Sequence, residues 1–237
     1  MTAAFLALAQ TIPTTASVVY PCLPESAVAG SVHMVTHSAT YKIDLKTQKF
    51  ESLSTFRNGT DAPVNVVLRL PLRGKQVTWA QSKGMHLSAM VNKQKVTLNE
   101  GQATRSEPTE KQKASGIWAQ SYEKFYTVNL SFKPKETKSL QVFFESALCR
   151  AGMDGAQRMV VYDTAGADTW ADKIKQFNYA IQYSNKVVLQ VYASLPEGNW
   201  QIGPTGAFMK FYDFEPAEKP HFIFTFYPNS FESIGGG

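Results

Sequence analysis

Charge and cysteine are both scarce in this chain. Only 18% of its 237 residues are charged and 43% are apolar, whereas a disordered chain is poorer in apolar residues. Two cysteines are too few for a small disulfide scaffold, and 15 glycines are too few for a collagen. No run approaches the roughly 18 to 20 apolar residues of a membrane-spanning helix. These shortages predict a globular chain without a transmembrane segment, long enough for one large all-β domain or two smaller ones.

Catalytic signatures are also missing. The sequence has no Gly-x-Ser-x-Gly, no glycine-rich phosphate loop and no His-Glu-x-x-His. It therefore predicts a protein that is not an enzyme and needs no cofactor. A hydrolase whose residues assemble from distant parts of the chain is the alternative.

The positive charge does not indicate a nucleic-acid partner. The formal net charge is +5, but basic residues such as Lys133, Lys135 and Lys138 are scattered among turns. Phosphate binding uses basic residues clustered on one face or helix. Scattered lysines are typical of solvated turns, so no nucleic acid is expected as a partner.

The first residues resemble part of an export signal. The apolar run Ala3 to Ala9 ends in Ala7-Leu8-Ala9, which suits a signal peptidase, although no basic residue precedes it. The alternative is a frayed terminus or a first strand. With this pattern we expect a secreted, periplasmic or cell-envelope protein.

The two cysteines, Cys22 and Cys149, lie far apart. In an oxidising compartment they predict one disulfide that ties the N-terminal arm to a central strand, worth about 4 to 5 kcal/mol in the chain-entropy model. Two buried free thiols are the alternative.

Apolar residues recur with a period of two. Tyr41, Ile43 and Leu45 alternate with polar residues, as in a strand with one wet face. About a dozen such strands predict an all-β fold, an antiparallel β-sandwich with immunoglobulin-like layers. At most one short helix is expected, around residues 169–175, with Asp168 as its N-cap.

Turn residues divide the strands. Asn58 to Asp61 predicts a turn between two strands, and residues 92–95 predict a hairpin. Residues 133–137 and 184–185 are each expected to return the chain antiparallel to the strand before it.

The same turn residues predict three regions. Residues 1–30 are an N-terminal arm or partial export signal, and residues 31–150 form a β-sandwich. Residues 151–237 add antiparallel strands, either as a second sandwich or as a continuation of the first.

Two stretches resemble known domains. Residues 55–64, followed by Leu70-Pro71-Leu72, are similar to the opening of the domain that precedes the von Willebrand A domain in inter-alpha-trypsin inhibitor heavy chains. They equally resemble a bacterial envelope domain family of unknown function. The turn at residues 132–136 fits the same pattern, and Tyr162 followed by Trp170 is similar to a Tyr-to-Trp segment of that second family. The resemblance covers residues 39–183 and implies an exported β-rich module without assigned catalysis.

His33 and His37 form a His-x-x-x-His pair. On a helix both rings would reach one metal ion. The β-branched neighbours favour a strand, in which the two Cα atoms are about 13 Å apart. No metal site is therefore expected here.

Acidic and aromatic residues are densest around Trp170. The candidate ligand-binding residues are Tyr162, Asp163, Asp168, Trp170 and Asp172. Carboxylates could bind calcium, or hold the hydroxyls of a sugar whose C–H face stacks on the indole. The alternative is a capping Asp, a solvated loop and a Trp that fills the core beneath it.

These observations predict an exported, non-enzymatic β-sandwich that acts as an interaction or structural module of a cell envelope or extracellular assembly. Its partner would be a protein or another envelope component. A carbohydrate-binding or carbohydrate-processing sandwich centred on Trp170 is the second hypothesis. In a third, an exposed strand near residues 187–191 pairs with the strand edge of a partner.

Overall fold

A computed structural model of the chain describes residues 17–18, 30–75, 86–101, 104–106, 121–151, 156–164, 170, 172–216, 218 and 221–229. These described residues form seventeen strands and contain no helix. The strands are β1 (Ser17–Val18), β2 (Val32–Ile43), β3 (Thr47–Asn58), β4 (Val64–Lys75), β5 (His86–Val91), β6 (Gln94–Val96), β7 (Asn99–Glu100), β8 (Thr104–Ser106), β9 (Ser121–Phe132), β10 (Thr137–Ala147), β11 (Cys149–Ala151), β12 (Gln157–Asp163), β13 (Ile174–Gln182), β14 (Val188–Leu195), β15 (Gln201–Gly203), β16 (Gly206–Phe214) and β17 (His221–Pro228). The predicted all-β class is confirmed.

The short helix predicted around residues 169–175 is wrong. Its last two residues open β13, where Ile174, Phe177 and Tyr179 are all buried on one face. Asp172 just before the strand has a φ of 62°, in the left-handed region that a helix does not use. The apolar alternation of β13 therefore prevails over the capping signal of Asp168, which itself lies outside the described residues.

Three sheets make up the fold. An eight-stranded sheet has the order β15-β16-β13-β2-β3-β10-β5-β6. A five-stranded sheet holds β1, β4, β9, β7 and β8, and a four-stranded sheet has the order β11-β12-β17-β14. Every pairing found is antiparallel except that of β2 with β13. Since β13, β15 and β16 join β2 and β3, the large sheet contains strands from both sides of residue 150.

The core lies on one face of the large sheet. Alternate residues of β2, β3, β10 and β13 are buried there, and they form one cluster with the buried residues of both smaller sheets. Val66 and Leu68 of β4 belong to that cluster, as do Phe222 and Phe224 of β17. Both smaller sheets thus pack against the same side of the large one, in a sandwich-like arrangement.

Two of the predicted strand returns are wrong. The turn at residues 133–136 joins β9 to β10, but β9 pairs with β4 and β10 pairs with β3. The turn after β13 likewise leads to β14, which pairs with β17 in the four-stranded sheet. In each case the chain crosses from one layer to the other. The apolar sides of the two consecutive strands then face each other across the core, where both are buried. The hairpin at residues 92–95 is confirmed, with β5 paired to β6.

The predicted turn at Asn58 is confirmed, and it docks on the turn of residues 133–136. The fully buried Asn58 amide donates hydrogen bonds to the carbonyl oxygens of Ala62 (2.7 Å) and Lys133 (3.0 Å). Its side-chain oxygen accepts hydrogen bonds from the Thr60 backbone N–H and hydroxyl. Lys135 adds a hydrogen bond from its ammonium to the Gly59 carbonyl oxygen. One side chain thus holds together two connections between the layers.

Replacing Asn58 with alanine should lower the free energy of unfolding by about 2 to 3 kcal/mol, because buried backbone groups at both turns lose their partners. Chemical denaturation of the purified chain measures this. The matched control is Asn65→Ala on the exposed side of β4, which should change stability by less than about 0.5 kcal/mol. Equal effects of the two substitutions would contradict the role given to Asn58.

Candidate functional site

The predicted cluster around Trp170 is split by the fold. Tyr162 is fully buried, and the Trp170 side chain is only 7% exposed. The Trp170 ring packs on Phe56 with a centroid distance of 4.6 Å. Asp172 is on the surface, while Asp168 and the side chain of Asp163 lie outside the described residues. The two aromatic residues are therefore core residues, and ligand binding by the cluster stays a prediction.

The predicted disulfide and the question of a metal site concern other parts of the chain. Cys22 and the side chain of Cys149 lie outside the described residues, so their disulfide also stays a prediction. Within the described ranges, no group of three or more His, Cys, Asp or Glu side chains could hold a metal ion.

His33 and His37 face opposite sides of β2. The register with β3 shifts by one residue between Met34 and Thr36, and such a bulge reverses which side chains point inward. His37 is fully buried. His33 is partly exposed, and its Nδ1 lies 3.0 Å from a carboxylate oxygen of Asp172. The strand interpretation of this pair is confirmed, and the bulge separates the two rings further.

His37 is held inside the core by two hydroxyl groups. Its Nδ1 lies 2.8 Å from the Ser54 hydroxyl oxygen, and its Nε2 lies 2.7 Å from the Tyr162 hydroxyl oxygen. Its ring is also nearly parallel to those of Tyr162 and Phe177, with centroid distances of 6.0 and 5.7 Å. Burial lowers the pKa of His37 from 6.5 to about 3, because the charged ring would lose its hydration.

A serine beside a histidine is the arrangement of a nucleophile and its base. Here, however, Ser54, His37 and Tyr162 are all fully buried. A substrate would have to enter the aromatic core to reach them. The arrangement instead satisfies the polar groups of a neutral histidine within that core.

The opposite face of the large sheet is different in character. We call it the outer face, and define it by the side chains of β2, β3, β10, β13 and β16 that point away from the core. Every one of these side chains that the structure describes is partly or largely exposed. They include His33, Thr36, Ser38, Thr40, Lys42, Thr47, Lys49, Glu51, Leu53, Thr55, Arg57, Thr137, Ser139, Gln141, Phe143, Glu145, Gln176, Asn178, Ala180, Gln182, Phe208, Lys210 and Tyr212.

Apolar side chains are exposed among these polar ones. Leu53 is 45% exposed, Phe208 is 49% exposed and Tyr212 is 66% exposed. The Lys210 ammonium lies 4.8 Å from the centre of the Tyr212 ring. Large apolar groups on an open surface that also carries hydrogen-bonding groups are typical of interaction sites.

Two grooves mark this face. The first has a volume of about 340 Å³ and is lined by residues of β2, β3, β5 and β10, among them Thr40, Glu51 and Phe143. The second has a volume of about 480 Å³ and is lined by Ala180, Phe208 and residues of the β15–β16 turn. Register places Ala180 directly beside Thr40, so the grooves adjoin at β2 and β13.

Charges in the first groove are balanced. Two lysines, Lys42 and Lys49, lie among its lining residues together with Glu51 and Glu145. The Lys49 ammonium is 3.7 Å from the Glu145 carboxylate, and Glu51 accepts a hydrogen bond of 2.7 Å from the Gln141 amide. The groove therefore carries no excess charge of either sign.

Sequence reasoning missed the outer face. Its signal is the polar half of each alternating pattern, for example Thr36, Ser38 and Thr40 in β2, which in the sequence indicates only that one face of the strand is exposed to solvent. Those residues become a surface only when several strands align in register.

No family model matches the chain, and no curated protein matches it. Among solved structures, it is similar to a candidate nutrient binding protein from Legionella pneumophila, with a TM-score of 0.66 and 13% identity over 90% of this chain and 72% of the other. An M1 zinc metallopeptidase mutant from Deinococcus radiodurans gives a TM-score of 0.42 and 10% identity, over 87% of this chain and 45% of the peptidase. At such identities a likeness shows the fold alone. Neither bears the name of the domains that the turn motifs resemble, so that resemblance stays a prediction. What the comparisons establish is a β-sandwich-like fold shared with the Legionella protein.

Proposed function

We propose that this chain is an exported, non-enzymatic binding module of a cell envelope or extracellular assembly, and that the outer face is its interaction surface. The observation that carries the proposal is the one-sided packing of the three sheets. Both smaller sheets bury the same side of the large sheet, while the other side exposes Leu53, Phe208 and Tyr212.

The size of this surface fits a binding role. From β16 to β10 the outer face spans five strands, or about 19 Å between the outermost strands at roughly 4.8 Å per spacing. Four alternate residues along a strand add about 20 Å. A face of this size, near 400 Å², is smaller than the roughly 800 Å² that each partner buries in a standard protein interface. It suits a small partner or an extended ligand.

Export is supported by the run Ala3 to Ala9 and by the resemblance of the turn motifs to exported domains. Among the residues that the structure describes, no helix has the length and apolar character needed to cross a membrane. Fractionation of the cells that encode the chain, followed by detection with an antibody, tests the compartment. Recovery in the envelope or the medium is expected, and recovery with cytosolic proteins would overturn this part of the proposal.

The binding surface is tested with Leu53→Asp. Introducing a carboxylate at an exposed position of the outer face should reduce retention of the purified chain on isolated envelope material about tenfold, without loss of stability. Co-sedimentation measures retention. The matched control is Val67→Asp on the five-stranded sheet, since Val67 is 41% exposed and Leu53 is 45% exposed. Equal retention of both variants, or no retention of the unmodified chain, would contradict the proposal.

A further inference from the structure

One row of side chains crosses the outer face at right angles to the strands. Strand register places Phe208 beside Ala180, Ala180 beside Thr40, Thr40 beside Glu51 and Glu51 beside Phe143. We call these five residues the central row. It has an aromatic ring at each end, on β16 and on β10, with smaller or polar side chains between them.

The two grooves lie along this row. Thr40, Glu51 and Phe143 line the groove at one end, and Ala180 and Phe208 line the groove at the other. Four strand spacings separate the two rings, which is about 19 Å. The row and its two grooves thus form a shallow trough that is long enough for an extended ligand.

We infer that the trough binds a neutral glycan chain, which lies across the strands with a sugar ring on Phe143 and another near Phe208. This rests on the proposed function of the outer face and names its ligand. The C–H faces of sugar rings pack on aromatic rings, while sugar hydroxyls need donors and acceptors around them.

The polar groups beside the row are of the kind that a glycan requires. Ser38 and Asn178 lie on the outer face next to it, and Gln141 lies beside Glu51, to which its amide donates a hydrogen bond. Hydroxyl and carboxamide groups both donate and accept hydrogen bonds. A sugar that binds here would therefore meet partners for its hydroxyls along the whole trough.

Charge selects a neutral ligand over an acidic one. The two lysines and two glutamates at the first groove balance each other, and Lys49 is close to Glu145. A polyanion needs an excess of basic groups, which this groove lacks. Binding should accordingly change little between about 0.1 and 1 M NaCl, a range over which exposed charges become screened.

The experiment uses the full chain and named probes. Isothermal titration with cellohexaose, xylohexaose, mannohexaose, hexa-N-acetylchitohexaose and isomaltohexaose should reveal binding of at least one, and the matching monosaccharide should bind more weakly by about tenfold or more. Phe143→Ala and Phe208→Ala should each weaken the binding of that hexasaccharide about tenfold. Val67→Ala, on another sheet, should leave it unchanged.

Three results would overturn the inference: silence with every neutral probe, binding of the acidic polymer polygalacturonate alone, or a loss of affinity in Val67→Ala equal to that in Phe143→Ala. Circular dichroism of each variant establishes that the sheets are intact, and Phe208→Leu removes the ring but keeps an apolar side chain if Phe208→Ala does not fold. If the probes are silent while Leu53→Asp still reduces retention on envelope material, the ligand assignment fails and the proposed function stands. If the probes are silent and the unmodified chain is not retained on envelope material either, the ligand assignment and the proposed function both fail.

Discussion

Trp170→Ala is expected to lower the free energy of unfolding by about 3 to 5 kcal/mol, which is the usual effect of removing a buried tryptophan side chain. The Trp170 side chain is 7% exposed and packs on the Phe56 ring, so its loss leaves a cavity between Phe56 and the segment that precedes β13. Urea denaturation followed by intrinsic fluorescence or circular dichroism measures the change.

Tyr212→Ala is the control for this prediction. Tyr212 is also aromatic but is 66% exposed, and its truncation should change stability by less than about 0.5 kcal/mol. If Trp170→Ala is as stable as Tyr212→Ala and instead loses calcium or sugar binding, Trp170 belongs to a ligand site and its assignment to the core is wrong.

Acidification is expected to destabilise the fold through His37. Burial lowers its pKa from 6.5 to about 3, so between those pH values the unfolded chain binds more protons than the folded chain. The stability contributed by the neutral ring is fully present above pH 6.5 and is lost as the pH falls towards 3. The slope is about 1.4 kcal/mol per pH unit, up to about 5 kcal/mol in total.

The measurement is the pH dependence of the unfolding free energy between about pH 5 and 6, above the usual pKa values of carboxylates. His37→Gln keeps a group that can donate and accept hydrogen bonds towards Ser54 and Tyr162, but does not titrate. Its slope in this range should be shallower by about 1.4 kcal/mol per pH unit. Tyr179 does not interfere, because burial and then the neighbouring Tyr41 and Tyr162 raise its pKa. Parallel slopes in the two proteins would contradict a neutral buried His37.

Strand positions were predictable from the sequence, but strand partners were not. Tyr41 and Ile43 alternate with polar residues because one face of β2 is buried and the other is exposed to solvent, and both residues are buried in the structure. The same alternation is compatible with any neighbour, because it fixes only which side of a strand is apolar. Lys133-Pro134-Lys135 accordingly marks a turn correctly, but gives no sign that β10 enters a different sheet from β9.

The candidate site was harder to predict for two physical reasons. Tyr162 and Trp170 have the residue types that suit either a ligand site or a core, and only burial distinguishes the two. The bulge after Met34 is a single extra residue in an otherwise regular strand. The alternation of apolar and polar residues in the sequence therefore does not indicate that His33 and His37 point in opposite directions. The central row is not visible in the sequence because it joins residues from Thr40 to Phe208 through strand register alone.

Site-specific labelling tests the binding role of the outer face most directly. Leu53→Cys and Val67→Cys place thiols at positions of similar exposure on two different sheets, and modification by a maleimide can be followed at each peptide by mass spectrometry. We predict that both thiols react in the free chain, and that envelope material protects the thiol at residue 53 but not that at residue 67. Equal reactivity of both thiols in the presence of envelope material to which the chain is bound would contradict the assignment of the outer face as the binding surface.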